Sequence, residues 1–113
     1  SEFAIGDGAT PLDHLLGSLA ACIDVIGHLV AEERGIVIDD LDVHVEGDID
    51  ARKYTGEASE PRAGFQSIRA TVTVDADADE ATLESWVAAV EDRCPVADNL
   101  VNGSTLDVSV TRA

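Results

Sequence analysis

The sequence predicts an α+β domain in which a long apolar helix lies against a mostly antiparallel sheet. Three observations predict it. The run from Leu12 to Arg34 has helical period and is apolar over most of its circumference. Two later runs, Leu41 to Ile49 and Phe65 to Asp75, alternate apolar and polar residues, the pattern of strands with one wet face. The elements read helix, strand, strand, helix, helix, strand, which groups strands instead of alternating them singly with helices. A length of 113 residues fits one domain, 1–113.

Each element has its own start and stop signals. Residues 6 to 11, Gly-Asp-Gly-Ala-Thr-Pro, read as a loop that ends in a helix start. Thr10 suits the N-cap, Pro11 the first helical position and Asp13 the positive helix end. Leu15, Leu19, Cys22, Ile26, Leu29 and Val30 then recur at three- and four-residue spacing. Leu16, Ala20 and Ile23 widen the stripe, so the helix is expected to be buried on most sides and about 35 Å long. Gly35 supplies a C-cap and Arg34 suits the negative end.

In the first strand Leu41, Val43, Val45 and Ile49 point one way, and Asp42, His44, Glu46 and Asp48 the other. Residues 51 to 64 carry Gly56, Pro61 and Gly64 and read as a loop. The second strand turns Ile68, Ala70, Val72 and Val74 inward. Asp77, with Glu80 three residues on, is expected to cap a second helix. Leu83, Val87 and Val90 line that helix beside Trp86 until about Arg93. Cys94-Pro95 breaks it and opens a short helix. Asn102-Gly103 makes a turn, and Leu106, Val108 and Val110 are expected to form a last strand.

Charge narrows the function classes. There are 23 acidic residues against 7 basic ones, a net charge of −16, and Lys53 is the only lysine. Such a surface repels phosphate backbones and excludes nucleic acid as an expected partner. It suits a salt-loving source, because at molar salt the Debye length falls to about 3 Å and self-repulsion is screened. No apolar run is expected to reach the roughly 18 residues of a membrane span, and residues 1 to 20 show no basic stretch followed by the apolar stretch of an export signal. The expectation is a cytoplasmic protein without a membrane partner. The chain has no methionine. It reads as trimmed, with strands expected before residue 1, and Ser1-Glu2-Phe3 fits a cloning remnant.

Few side chains offer chemistry. Cys22 and Cys94 are the two cysteines, and their spacing matches neither a zinc pattern nor a disulfide scaffold. No metal or organic cofactor is expected. Cys22 falls on the apolar stripe, where a small core hydrophobe is the ordinary role. Cys94 falls at the N-cap of the helix that Pro95 opens, where unpaired amides and neighbouring Arg93 lower a thiol pKa. The plain alternative there is a capping residue without chemistry. His14, His28 and His44 form no i, i+4 pair, and His14 lies about 80° out of phase with Cys22.

The same residues carry a family resemblance. Thr-Pro-Leu-Asp-His-Leu-Leu-Gly-Ser-Leu-Ala-Ala-Cys (10–22) resembles the helix start of the OsmC/Ohr family. Pro-Arg-Ala-Gly-Phe-Gln-Ser-Ile-Arg-Ala-Thr-Val-Thr-Val (61–74) and Glu-Asp-Arg-Cys-Pro-Val-Ala-Asp-Asn-Leu (91–100) resemble later segments, in family order. The resemblance implies an intertwined homodimer with its cysteine helices buried together. It implies a thiol peroxidase acting on small organic hydroperoxides and recycled by an external dithiol reductant. Cys22 then has the peroxidatic role and Cys94 the resolving role, the reverse of the local ranking, which favours Cys94 as the activated thiol.

Two departures mark this chain within the resemblance. Leu12 stands where the peroxidases carry an acid, with Asp13 about 100° further around the helix. The activating arginine of the family lies in an N-terminal segment without a counterpart here, which leaves Arg69 and Arg93 as unplaced candidates. The sequence therefore looks closer to the OsmC-like branch than to the hydroperoxide-resistance branch. The alternative function is a non-enzymatic stress or small-ligand-binding dimer with structural cysteines. The charge yields one direct prediction. The melting temperature should rise from dilute buffer to molar potassium chloride, and an unchanged value across that range removes the salt argument.

Overall fold

The computed structural model describes residues 10–113. Five elements follow in order: α1 (Pro11–Glu33), β1 (Ile38–Ile49), β2 (Phe65–Ala76), α2 (Glu80–Arg93) and α3 (Pro95–Asn102). The architecture is α+β, as expected. Residues 6–9 of the expected first loop lie outside the described residues.

α1 starts where its sequence says it should. Thr10 Oγ1 accepts from the Asp13 amide at 3.2 Å, and Asp13 returns the bond by accepting from the Thr10 amide at 2.8 Å. This closes a capping box. At the other end Arg34 is the C-cap, and Gly35 follows it with φ 68°. That left-handed conformation is open to glycine at little cost and turns the chain towards β1.

β1 and β2 form an antiparallel hairpin with Leu41 opposite Val74, Val43 opposite Val72 and Val45 opposite Ala70. These residues face α1. The other face pairs Glu46 with Arg69 and Asp48 with Ser67. Most of the expected alternation is present, but Ala70 and Ile49 remain exposed.

α2 crosses α1 on a side away from the hairpin's wet face. Its Trp86 and Val90 are buried and meet Leu19, Ile23, Val30 and Ala31 of α1 and Cys94 in one core. The indole N–H of Trp86 donates to the Gly27 carbonyl of α1 at 2.8 Å. Burial of a tryptophan removes about 150–250 Å² from water, worth about 4–6 kcal/mol as an upper bound. The hydrogen bond itself contributes about 1 kcal/mol net. The ring therefore drives the packing and the N–H gives it direction.

Three expectations are corrected. The cap of α2 is Asp79, not Asp77: its carboxylate accepts from the Thr82 amide at 2.8 Å. With helix beginning at Glu80, only Asp79 stands the required three residues before a free amide. The expected strand at 106–110 does not form. A strand needs a neighbour's backbone to satisfy its N–H and C=O groups, and the described sheet has only β1 and β2. Leu106, Val108 and Val110 are instead 83%, 82% and 95% exposed.

Nor is α1 buried on most sides. β1 and α2 cover one part of it, while Leu15, Val25 and Leu29 are exposed. By length and composition α1 is also apolar enough to cross a membrane, although polar residues interrupt every long apolar run. Its Leu19, Ile23 and Val30 serve here as core residues.

The cap assignment is testable by pH. The Thr82 side chain and amide hold the Asp79 carboxyl below the usual carboxylate range. Its contribution is therefore present above about pH 3.9 and lost as pH falls through the depressed value. At pH 7 Asp79→Ala should lower the melting temperature and Asp77→Ala should not, with the gap closing in acid.

Candidate functional site

The residues with chemistry meet where α1 and the α2–α3 break come together. Cys22 sits mid-way along α1 and is half-buried; Cys94 separates α2 from α3 and is fully buried. Their sulfurs lie 2.9 Å apart across 72 residues of chain. Both are free thiols. An S–S bond measures about 2.05 Å, so closure needs a movement of about 0.9 Å.

Local structure explains why the sulfurs converge. Trp86, Val90 and Cys94 recur every four residues, on a face that winds about 40° per step and ends just past α2, and all three are buried. That face is the one packed on α1. Pro95 has no amide to continue α2, so the chain turns and α3 begins. Cys94 is the N-cap of α3 by position, and its carbonyl accepts from the Asp98 amide at 3.0 Å. Its side chain makes no capping bond. The expected role of Cys94 as a thiol stabilised by its own helix is therefore not what the geometry shows, because the buried side chain points at α1.

The first turn of α3 acts on Cys22 instead. Burial pushes the Cys22 thiol up, and so does the adjoining Cys94; the Val96 amide pulls the other way. The net shift is upward. Among the described residues no carboxylate contributes to it.

The candidate arginines are placed elsewhere. Arg93 forms a two-point ion pair with Glu33, Nη1 to Oε2 at 2.5 Å and Nη2 to Oε1 at 3.1 Å. It ties α2 to the last turn of α1. Arg69 lies on the wet face of the hairpin, where it binds Asp48 at 2.7 Å and Glu46 at 3.2 Å. Asp13 is engaged in the capping box, and Leu12 lines the larger cavity. The histidines are dispersed: His28 is 3.7 Å from Asp24, His44 is 3.7 Å from Glu46, and His14 borders a smaller cavity of 460 Å³.

The larger cavity, 590 Å³, opens between β2 and the three helices. Leu15, Leu19, Ile68, Val72, Val87 and Leu100 give it apolar walls, and Arg62 and Glu91 stand among its lining. Neither cysteine is part of that lining.

The arrangement can be set beside known proteins. The OsmC-like protein family matches residues 5–109. The chain belongs to this family. An OsmC-like protein from Mycoplasma pneumoniae has a similar structure, with 26% identity and a TM-score of 0.75 over 85% of this chain and 64% of that one. An OsmC-like protein of unknown function from Vibrio cholerae shares the fold at 12% identity, with a TM-score of 0.56 over 79% of this chain and 56% of that one. The chain thus spans somewhat less than two thirds of the length of either structure. No curated protein matches it. Within the OsmC-like fold of this chain, sequence reading missed the Val96 amide and Trp86. The spacing 86, 90, 94 was the available signal for the second.

The pKa directions yield a prediction for the reduced protein. Alkylation of Cys22 by iodoacetamide should have its midpoint above that of free cysteine, which is about 8.5. Cys94→Ala removes a group that raises Cys22 and should move that midpoint down. An upward or absent shift contradicts the assignment.

Proposed function

We propose that this OsmC-like chain reduces organic hydroperoxides through a Cys22–Cys94 dithiol cycle. The observation that supports it is the 2.9 Å approach of two free thiols that sequence alone leaves 72 residues apart. Cys22 is the better peroxidatic candidate of the two. It is half-buried where Cys94 is fully buried, and the Val96 amide faces it.

The cycle balances as follows. The Cys22 thiolate attacks the distal peroxide oxygen, an S–O bond forms and the O–O bond breaks. The alkoxide leaves and takes a proton to become the alcohol. Cys22 is then a sulfenic acid. The Cys94 sulfur attacks Cys22, the S–S bond forms, the S–O bond breaks and water departs. An external dithiol returns both cysteines to thiols by exchange. A reducing compartment such as the cytoplasm suits resting free thiols.

The functional unit in this proposal is a homodimer. Leu15, Val25 and Leu29 leave part of α1 uncovered, and the 106–110 segment alternates apolar and polar residues without a strand to pair with. A second copy can cover both. Sedimentation showing a compact folded monomer at micromolar concentration would contradict it.

One observation favours a second reading. The upward shift of Cys22 lowers its thiolate fraction near neutral pH, as expected of structural cysteines in a non-enzymatic binding dimer. Mixing the reduced protein with cumene hydroperoxide separates the two. The peroxidase reading expects one alcohol per protein and a Cys22–Cys94 disulfide, formed at least about a hundredfold faster than with free cysteine at equal thiolate fraction. Cys22→Ser should abolish the reaction, and Cys94→Ser should leave a trappable sulfenic acid. Thiols that stay inert in the folded protein leave the binding reading.

A further inference from the structure

We propose that Trp86 is the positioning residue for closure of the Cys22–Cys94 pair, its indole N–H on the Gly27 carbonyl fixing how far α2 slides along α1. The inference rests on reading the two cysteines as a redox pair.

The geometry is that of a rod held at one end. Trp86, in the middle of α2, and Cys94, the first residue after its end, lie eight residues apart, about 12 Å along the axis and about 80° around it. Trp86, Val90 and Cys94 are 1%, 1% and 0% exposed, so the whole rod is seated on the core. A rigid helix carries an axial displacement from one end to the other undiminished. The sulfurs have about 0.9 Å to travel before bonding. A slip of that size at Trp86 is therefore as large as the distance to be closed.

Three contacts oppose such a slip, and they differ in stiffness. Arg93 on Glu33 and Arg34 on Ser85 act through long exposed side chains, where water competes for every donor. The Trp86 contact is buried and short, 2.8 Å from ring nitrogen to backbone oxygen. The absence of a side chain at Gly27 allows the ring to come this close. A Cβ at that position would stand 3.1 Å from Trp86 Cζ2 and 3.3 Å from Leu41 Cδ2. The indole thus locks α2 to the backbone of α1 and not to a mobile side chain.

The test is the equilibrium of the pair with oxidised dithiothreitol, which needs no peroxide. Two protein thiols give two electrons and two protons to the dithiothreitol disulfide, and the Cys22–Cys94 bond forms. Trp86→Phe keeps an aromatic ring and removes the N–H. It should lower the equilibrium constant for the protein disulfide about tenfold, a rise in potential of about 30 mV. Gly27→Ala presses on the same ring from α1 and should shift it in the same direction. Glu33→Gln, on the exposed brace, should change it less than about twofold.

A role confined to stability would lower the melting temperature of both redox forms and leave the constant unmoved. Folded Trp86→Phe or Gly27→Ala protein with the wild-type constant overturns the proposal. The wild-type chain offers a reciprocal measurement. Disulfide formation should slow hydrogen exchange at the single indole N–H relative to the amides of β1 and β2, and equal relative exchange in both forms overturns the proposal even where a variant does not fold. A wild-type protein that forms no Cys22–Cys94 disulfide under these conditions overturns the redox-pair reading together with the positioning role.

Discussion

The contact between Trp86 and Gly27 is the constraint on which the rest of the structure depends. α1 has apolar residues around most of its surface, and many docking angles would bury some of them. The indole selects one. It packs where α1 lacks a Cβ, and its N–H donates to the carbonyl at that same position. An unsatisfied buried indole N–H costs about 1–3 kcal/mol, enough to reject neighbouring registers. Once α2 is placed, Val90 joins Val30 and Ile23 in one buried core, and Cys94 arrives at Cys22. The hairpin meets the same glycine, where Leu41 also approaches the position a Cβ would fill.

The electrostatics of the site follow from this placement. Many of the described acidic residues lie on the hairpin's wet face, on the helix surfaces and in the loops between them. The few arginines are largely spent among them: Arg69 on Asp48 and Glu46, Arg52 on Asp50, Arg93 on Glu33. Among the described residues, neither a carboxylate nor a guanidinium figures in the shift of Cys22. What remains is a contest between burial, which favours the neutral thiol, and one amide at the start of α3, which favours the thiolate. Burial wins in the reduced pair. Oxidation removes the charge question altogether, since a disulfide carries no proton, and a buried pair is then comfortable.

Legibility in the sequence was uneven for physical reasons. α1, β1 and β2 could be read because each is long and its period is repeated several times. The start of α1 was plain in Thr10, Pro11 and Asp13, which act within four residues of each other. The α2 cap was misplaced by two residues because Asp77 and Asp79 offer the same chemistry, and only the helix phase separates them. The site was half legible. Cysteines at 22 and 94 could be named, and the family resemblance paired them. Their convergence depends on a contact 59 residues long, Gly27 to Trp86, that no local spacing reveals. The assignment of the α3 amides to Cys94 failed for a related reason. Position in the chain made Cys94 the N-cap, but burial turned its side chain away and left the first turn of α3 to the sulfur on another helix.

The remaining mismatch lies in the segment 106–110. Its alternation is as regular as that of β2, yet β2 is paired and the segment is not. Periodicity reports which face a strand would bury; it does not supply the edge that receives the strand. The same reasoning applies to the open side of α1 and to the apolar cavity between β2 and the helices. Three apolar features, each legible as core, stand uncovered within the described residues. These three surfaces stand in a chain of net charge −16, whose charges repel a second copy except where salt screens them. Charge repulsion is weakest where the apolar faces meet and strongest everywhere else, so it favours one specific mode of association over indiscriminate aggregation. In the proposed dimer the acidity and the uncovered apolar faces are therefore one design constraint, and salt that screens the first strengthens the second.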